Sequence, residues 1–412
     1  MARVGSAAVA PGSNGTRAER MEDHVGRSQA GQDGAGWSEL YSEVVATGTC
    51  TGCGGCIVAC PFGTLEYRDF RPWQVGADGQ SPGECSRGVD SCGVCTRACP
   101  RFRNWEAEAD TALHGRVRAA HETFGIARSI VLARAADPAV HAAGQDGGVV
   151  SALLCWGLES GGIDGAVTAA RHGQRPWEGT PVVAVDRDQV LAAAGSRYTY
   201  CPTPLALTDA VARGLGRIAL VGTSCQASVP AVMGARRLNK WRRRIAWTFG
   251  LLCSKTFDYD SLMEGRIRQG LGVRWEELAR MDIKGRMIVE RADGQVTTFP
   301  LKEANAWTRD GCKLCPDFAA QHADISFGGL GQTDRTTLVI VRTELGERLW
   351  NNALAEGVVE ARPVPEETLA MLERLSAAQR SRWPGPDGSS GSGTAEGQAA
   401  ERGAWPEVAA AS

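Results

Sequence analysis

The chain reads as an α/β protein with a mixed sheet, led by a small cysteine-rich α+β unit and bounded by segments without regular structure. Three observations predict this. From about residue 116 onward, apolar strand-like runs alternate with helical ones. Eight of the fourteen cysteines fall between Cys50 and Cys99 at close, ligand-like spacing. Residues 1–36 and the tail from Pro384 are rich in small and polar residues without periodicity. Such segments bury too little apolar surface to offset the entropy of ordering. The expected organisation is a disordered extension at 1–40, the cysteine unit at 41–106, the main body at 107–383 and a disordered tail at 384–412. The body divides into parts at about 116–200 and 205–360.

Taken in order, "RSIVLARA" reads as a strand, residues 147–161 as a helix and "IDGAVTAAR" as the next strand. "TPLALTDAVARGLG" is helical, and "GRIALVGTSCQ" is a buried strand over 217–221 running into a loop. "RRIAWTFGLLCSKTF" is a further apolar strand. "MIVERADGQVTTFPL" has the form of a hairpin with Asp293-Gly294 at its turn. "TTLVIVRT" is a late strand and "ELGERLWNNALAEG" a helix.

Composition excludes several classes. Of 412 residues, 43% are hydrophobic and 22% charged, with a net charge of -2, which is ordinary for a soluble globular protein and points to neither nucleic acid nor an anionic membrane. No apolar run approaches the roughly 20 residues of a membrane helix. The first twenty residues lack a signal peptide's apolar core. A cytoplasmic protein is expected, and there disulfides are a poor use for fourteen cysteines.

"CTGCGGCIVACP" places Cys50, Cys53, Cys56 and Cys60 at C-x2-C-x2-C-x3-C-P spacing. A [4Fe–4S] cluster takes one thiolate per iron, and in two-cluster proteins the cysteine before proline serves the other cluster. "CSRGVDSCGVCTRACP" supplies the second run, Cys85, Cys92, Cys95 and Cys99. Cys50, Cys53, Cys56 and Cys99 are assigned to one cluster, and Cys60, Cys85, Cys92 and Cys95 to the other. Six residues separate Cys85 from Cys92 where the repeat would have two. Paired zinc sites are the competing reading. The whole resembles a bacterial-type two-cluster ferredoxin module, which implies a ferredoxin-like α+β fold.

Cys225 and Cys253 stand just past the ends of two predicted strands, where open α/β sheets bind ligands. "GCKLCPDF" adds Cys312 and Cys315. Four thiolates from three segments make a third cluster; two buried cysteines and a half-site are the alternative. Cys155 lies in an apolar helical stretch and reads as core. Cys201 is taken as structural.

"GQDGGVVSALLCWGLESGGIDGAV", "GSRYTY", "VGTSCQ", "GLLCSKTFDY" and "CKLCPDFAAQHADISFGG" occur in that order. Together they resemble the beta subunit family of coenzyme F420 hydrogenases and dehydrogenases, here behind a ferredoxin module, over about residues 41–360. The resemblance implies FAD, hydride exchange with coenzyme F420, and a cluster on Cys225, Cys253, Cys312 and Cys315. Under it, Gln145, Asp146, Gly147 and Gly148 lie against the flavin, leading into a helix N-terminus suited to the diphosphate. Ser196, Arg197 and Tyr198 match a cofactor-lining segment. Thr223, Ser224 and Gln226 flank Cys225, within reach of either cofactor. No catalytic side chain is required, because the cofactors carry the chemistry.

The expected function is electron passage between coenzyme F420 and a one-electron partner, either ferredoxin or a separate redox subunit. The alternatives are a ferredoxin-dependent reductase similar to 7-hydroxymethyl chlorophyll reductase, and an electron-transfer subunit without its own substrate. Arg236, Arg237, Lys240, Arg242, Arg243 and Arg244 form a basic patch, read as a solvated face or as an electrostatic dock for the F420 tail or an acidic ferredoxin.

Overall fold

The computed structural model describes residues 35–75, 83–87, 92–331 and 334–383; the extension at 1–34 and the tail from 384 lie outside them. Residues 35–40, expected to belong to the disordered extension, instead carry the helix Trp37–Leu40. Ala35, Trp37 and Leu40 are buried with Cys56, Leu65, Cys99 and Phe102. Three scattered apolar residues make no periodic signal; packing on the cysteine unit orders them.

That unit is made of short pieces: the helix Gly55–Ala59, an antiparallel pair β1 (Leu65–Arg68) and β2 (Arg71–Gln74), and the helix Val94–Arg97. Gly54 and Gly93 precede the two helices at φ 84° and 49°, a left-handed turn that side chains with a Cβ resist. Each glycine therefore opens one helical turn, which carries Cys56 in the first case and Cys95 in the second.

The body adds β3 (Ser129–Ala135), β4 (Gly165–Arg171), β5 (Gly179–Ala184), β6 (Ile218–Thr223), β7 (Ile245–Leu251), β8 (Leu278–Ile283), β9 (Arg286–Arg291), β10 (Val296–Pro300), β11 (Ile325–Gly328), β12 (Thr337–Val341) and β13 (Val359–Pro363). Eight of them form one sheet in the order β13-β3-β12-β11-β7-β6-β4-β5. β4, β6, β7 and β11 pair parallel, while β5, β12 and β13 pair antiparallel with their neighbours, so the sheet is mixed, as predicted. β8, β9 and β10 make a separate antiparallel sheet. The predicted hairpin is β9–β10, with Gly294 at φ 84° in its turn.

The helix predicted at 147–161 runs over Val149–Glu159, because Gly148 turns left-handed (φ 70°) as its N-cap. The one predicted at 203–216 splits into a 3-10 turn, Thr203–Ala206, and a helix, Leu207–Ala212. The Leu207 N–H bonds the Pro204 carbonyl, the i→i−3 contact of a 3-10 turn, before the α-helix begins. Val149–Glu159 is apolar on nearly every side and sinks onto the sheet, packing Leu153, Leu154 and Cys155 with Phe249 and Phe327. Cys155 is core, as its setting indicated. Gly157 admits the Trp247 ring: a Cβ there would stand 2.2 Å from it.

The basic patch does not form one face. The Arg236 side chain is 2% exposed and joins the cysteine unit to the body. It donates to Glu108 Oε2 (2.6 Å), to the carbonyls of Thr96 (2.8 Å) and Cys99 (3.3 Å), and to that of Phe102 (2.6 Å). Its own carbonyl accepts from Arg97 Nε at 2.9 Å. Removing the guanidinium strands a carboxylate and three buried carbonyls, so Arg236→Met is expected to cost about 3 kcal/mol. Thermal unfolding should show a lowered first transition, and limited proteolysis a faster release of the cysteine unit. A variant with wild-type midpoint and digestion rate contradicts this role.

Candidate functional site

A cavity of ≈ 390 Å³ opens where β6, β7 and β11 end, within the size range of cofactor pockets. Residues 221–223, 251–253 and 327–331 line it from the strand ends, and residues 144–146, 148–151 and 193–199 from the loops and helix start beside them. All of the sequence-predicted cofactor residues face it except Gly147. Gly147 is wedged behind the wall. Its N–H donates to Thr337 Oγ1 (2.9 Å), and a Cβ would stand 2.4 Å from the Ala133 carbonyl oxygen.

Gln145 holds two walls together. Its Nε2 donates to the Met281 carbonyl (2.9 Å) on β8, and its Oε1 accepts from Ser196 N–H (3.1 Å). Arg280 of β8 donates to the Gln145 carbonyl at 2.5 Å. Arg197 donates to the carbonyls of Ser196 (3.1 Å) and Ala194 (3.0 Å). Burial and the nearby Arg171 charge push the Arg197 guanidinium down to about 10, and its Nε has no hydrogen-bond partner. Among the described residues, no carboxylate forms an ion pair with it. Asp146 is the opposite case. Burial, then the Asp282 charge, push its carboxyl up to about 6 against the pull of Lys284 and Arg280. Burial, then the same Asp282 charge, raise the Tyr198 phenol.

Thr223, Ser224 and Gln226 divide differently from expectation. The Gln226 amide is committed to the fold, accepting from Thr223 N–H (3.1 Å) and donating to the Cys201 carbonyl (2.6 Å). Ser224 Oγ accepts from Ala320 N–H at 3.2 Å, pinning the start of the helix Ser224–Ala235. Thr223 Oγ1 lies 3.7 Å from Cys225 Sγ.

Cys225, Cys253, Cys312 and Cys315 line the same cavity. Burial drives the Cys253 thiol well up, and charge on Cys312, Cys225 and Cys315 would each add to that. Burial likewise pushes Cys315 up to about 11. A second, small cavity is lined by Cys50, Cys53, Cys56 and Cys99. Burial, then Cys99, Cys53 and Cys50 in turn, raise the Cys56 thiol. Cys95, pushed up to about 12 by burial, also feels Cys92 and Cys60. Cys60 is lowered: hydrogen bonds from Thr64, Phe62 and Gly63 outweigh its burial. Cys85 packs at the edge of the same apolar core as Cys60 and Cys95. Ser86 N–H and Oγ hold that segment on Gln74 Oε1 at 3.2 and 3.1 Å.

Among the described residues, no group of three His, Cys, Asp or Glu side chains is drawn together tightly enough to hold a metal ion as it stands. An iron–sulfur cube would space its thiolates around a body with its own volume, and two quartets here border cavities. Three buried polar atoms between the quartets, Thr51 Oγ1, Arg101 Nε and Arg309 Nε, also lack partners. Sulfur-rich anionic groups would accept from all three.

Sequence reasoning missed several residues here. Arg309 lies over the Tyr200 ring at 3.7 Å and donates to the Phe70 carbonyl at 2.8 Å. Arg280, Asp282 and Lys284 arrive from the small sheet. Only Arg309, three residues before Cys312, was close to a motif. None of the basic-patch residues lines this cavity; Arg242 borders a different, polar one with Arg128 and Asp324. The expectation of an F420 dock there is not carried by the geometry.

Two family profiles match the chain, both of the coenzyme F420 hydrogenase/dehydrogenase beta subunit: its N-terminal profile over residues 130–208 and its C-terminal profile over residues 215–367. The coenzyme F420 hydrogenase subunit beta of Methanothermobacter thermautotrophicus is 36% identical over 270 residues, covering 63% of this chain and 93% of that protein. The coenzyme F420-dependent sulfite reductase of Methanocaldococcus jannaschii is 31% identical over 336 residues, covering 77% of this chain and 48% of that protein. A chain of the F420-reducing [NiFe] hydrogenase complex from Methanosarcina barkeri aligns in structure with a TM-score of 0.60 and 31% identity, covering 63% of this chain and 91% of its own. The chain belongs to the coenzyme F420 hydrogenase/dehydrogenase beta subunit family.

Proposed function

We propose that this chain is an iron–sulfur flavoprotein oxidoreductase passing electrons between coenzyme F420 and a one-electron partner. One observation carries the reading. A single cavity is lined both by Gln145, Asp146, Gly148 and Ser196–Arg197–Tyr198 and by four cysteines, and Thr51 lines it and the Cys50–Cys53–Cys56–Cys99 cavity alike. FAD, when bound, supplies the conversion between a hydride and single electrons, and [4Fe–4S] clusters carry the single electrons. The chain's own residues bind, orient and exclude water. Arg197, a half-buried cation whose Nε has a donor to spare, suits the flavin diphosphate, together with the backbone at Gly148–Val149. Gln145 fixes the loop, and Asp146 with Asp282, Arg280 and Lys284 sets the field at the mouth. A cavity shared by the predicted cofactor residues and four thiols supports electron transfer over a purely structural metal site.

Anaerobic purification tests the scheme, with iron, sulfide and flavin counted on one sample. About twelve iron and one FAD per chain are expected for three clusters. Reduced F420 should bleach the flavin. Clusters without flavin would make the chain an electron carrier, and zinc in place of iron would end the proposal.

Two further outcomes follow from the charges. Losing a charge-assisted contact worth about 1.5–3 kcal/mol, Arg197→Met should weaken FAD binding about 10–100-fold in fluorescence titration of flavin-stripped protein; unchanged affinity removes Arg197 from the site. For Asp146, the folded value of about 6 exceeds the ordinary 3.8. The unfolded chain therefore releases its proton first, and stability falls as pH rises from about 4 to about 6, by up to about 3 kcal/mol. Asp146→Asn should raise the thermal midpoint at pH 7 and converge with wild type near pH 4. A constant difference across that range refutes the assignment.

A further inference from the structure

The two thiol quartets meet across a narrow seam. Thr51 lines the cavities on both sides of it. Gly311 presses on the loop opposite: a Cβ there would stand 2.1 Å from the Cys50 carbonyl oxygen. Arg309 reaches across it to the Phe70 carbonyl, and a second cationic side chain reaches a thiol. Arg101 leaves the Cys99-Pro100 turn, is 4% exposed, and donates through Nη1 to the Pro100 carbonyl (2.5 Å) and through Nη2 to Cys315 Sγ (3.0 Å). The faces of Trp105 and Trp383, at 4.5 and 5.7 Å, hold the guanidinium in place. By sequence Arg101 belongs to the ferredoxin-type unit; by contact it belongs to the cysteines of the body.

We propose that Arg101 is a positioning residue that raises the reduction potential of the cluster held by Cys225, Cys253, Cys312 and Cys315, and so sets the driving force across the seam. This rests on the cluster reading above. Reduction adds one negative charge beside Cys315. A hydrogen bond to that sulfur and a full positive charge in a dry setting stabilise the more negative state. Cys53, across the seam, feels the same charge less: Cys315, Cys225 and Asp317 all act more strongly on Arg101 than Cys53 does. The residue therefore favours the body's cluster over the ferredoxin-type one. The step it biases moves one electron, oxidising one cluster and reducing its neighbour, with no bond made or broken and no proton transferred.

The test is an EPR-monitored redox titration of the full chain, wild type against Arg101→Met. Methionine keeps a long side chain between the tryptophans and removes the charge. The expected result is one cluster midpoint moved to lower potential, the others moved less, and iron content unchanged. Arg101→Lys keeps the charge but not the paired reach, and should shift the same midpoint in the same direction by less. If the methionine variant loses iron, the lysine variant decides, and an unshifted midpoint there overturns the proposal. Full iron with every midpoint at its wild-type value in Arg101→Met overturns it too. Wild-type protein with about eight iron would instead remove the body's cluster and, with it, the reading beneath.

Discussion

Sulfur that is buried in the absence of water must be given positive charge or hydrogen bonds, and the architecture answers to that constraint. Burial is the largest cause that raises the thiols of Cys53, Cys56, Cys99, Cys225, Cys253 and Cys315, and charge on neighbouring cysteines adds to it. Arginines are the protein's own reply. Arg101 and Arg309 are sunk between the two quartets, and charge on Cys315 and Cys312 respectively holds each guanidinium firmly protonated against its burial. Neither would persist as a buried cation in an apolar seam.

The same guanidiniums do the joining. Arg236 is tied to carbonyls of the cysteine unit, Arg309 reaches the Phe70 carbonyl, and Arg101 reaches back to Cys315. Gly52, at φ 62°, leaves room for the Arg309 head group, which a Cβ would meet at 1.9 Å. These charged contacts and close backbone approaches act together with an apolar interface, where Val58, Ala59 and Ala98 share a core with Leu207, Val229 and Met233.

The mixed sheet supplies the rigid end of the site. Its parallel strands bring the residues after β6 and β7 to one edge, where Cys225 and Cys253 converge although 28 positions apart in sequence. The apolar helix Val149–Glu159, locked onto the sheet through Gly157 and Trp247, fixes where the glycine loop begins. The small β8–β10 sheet brings a charged edge over that loop.

Local pattern determined much of this by itself. Strand and helix alternation, the β9–β10 turn at Asp293-Gly294 and the cysteine runs are short-range features, set by periodicity and by glycine's freedom at positive φ. So were the strand-end positions of Cys225 and Cys253, which follow from where apolar runs stop. Tertiary structure alone decided the rest. Arg236 reads as one of six basic residues until packing buries it against Glu108, and Trp37 reads as part of a featureless extension until Phe102 covers it. Arg101 and Arg309 sit beside motifs without belonging to them, and only docking turns them toward Cys315 and Phe70. A side chain's charge is written in the sequence, but its partner, and hence its free energy, depends on what the fold brings within hydrogen-bond reach.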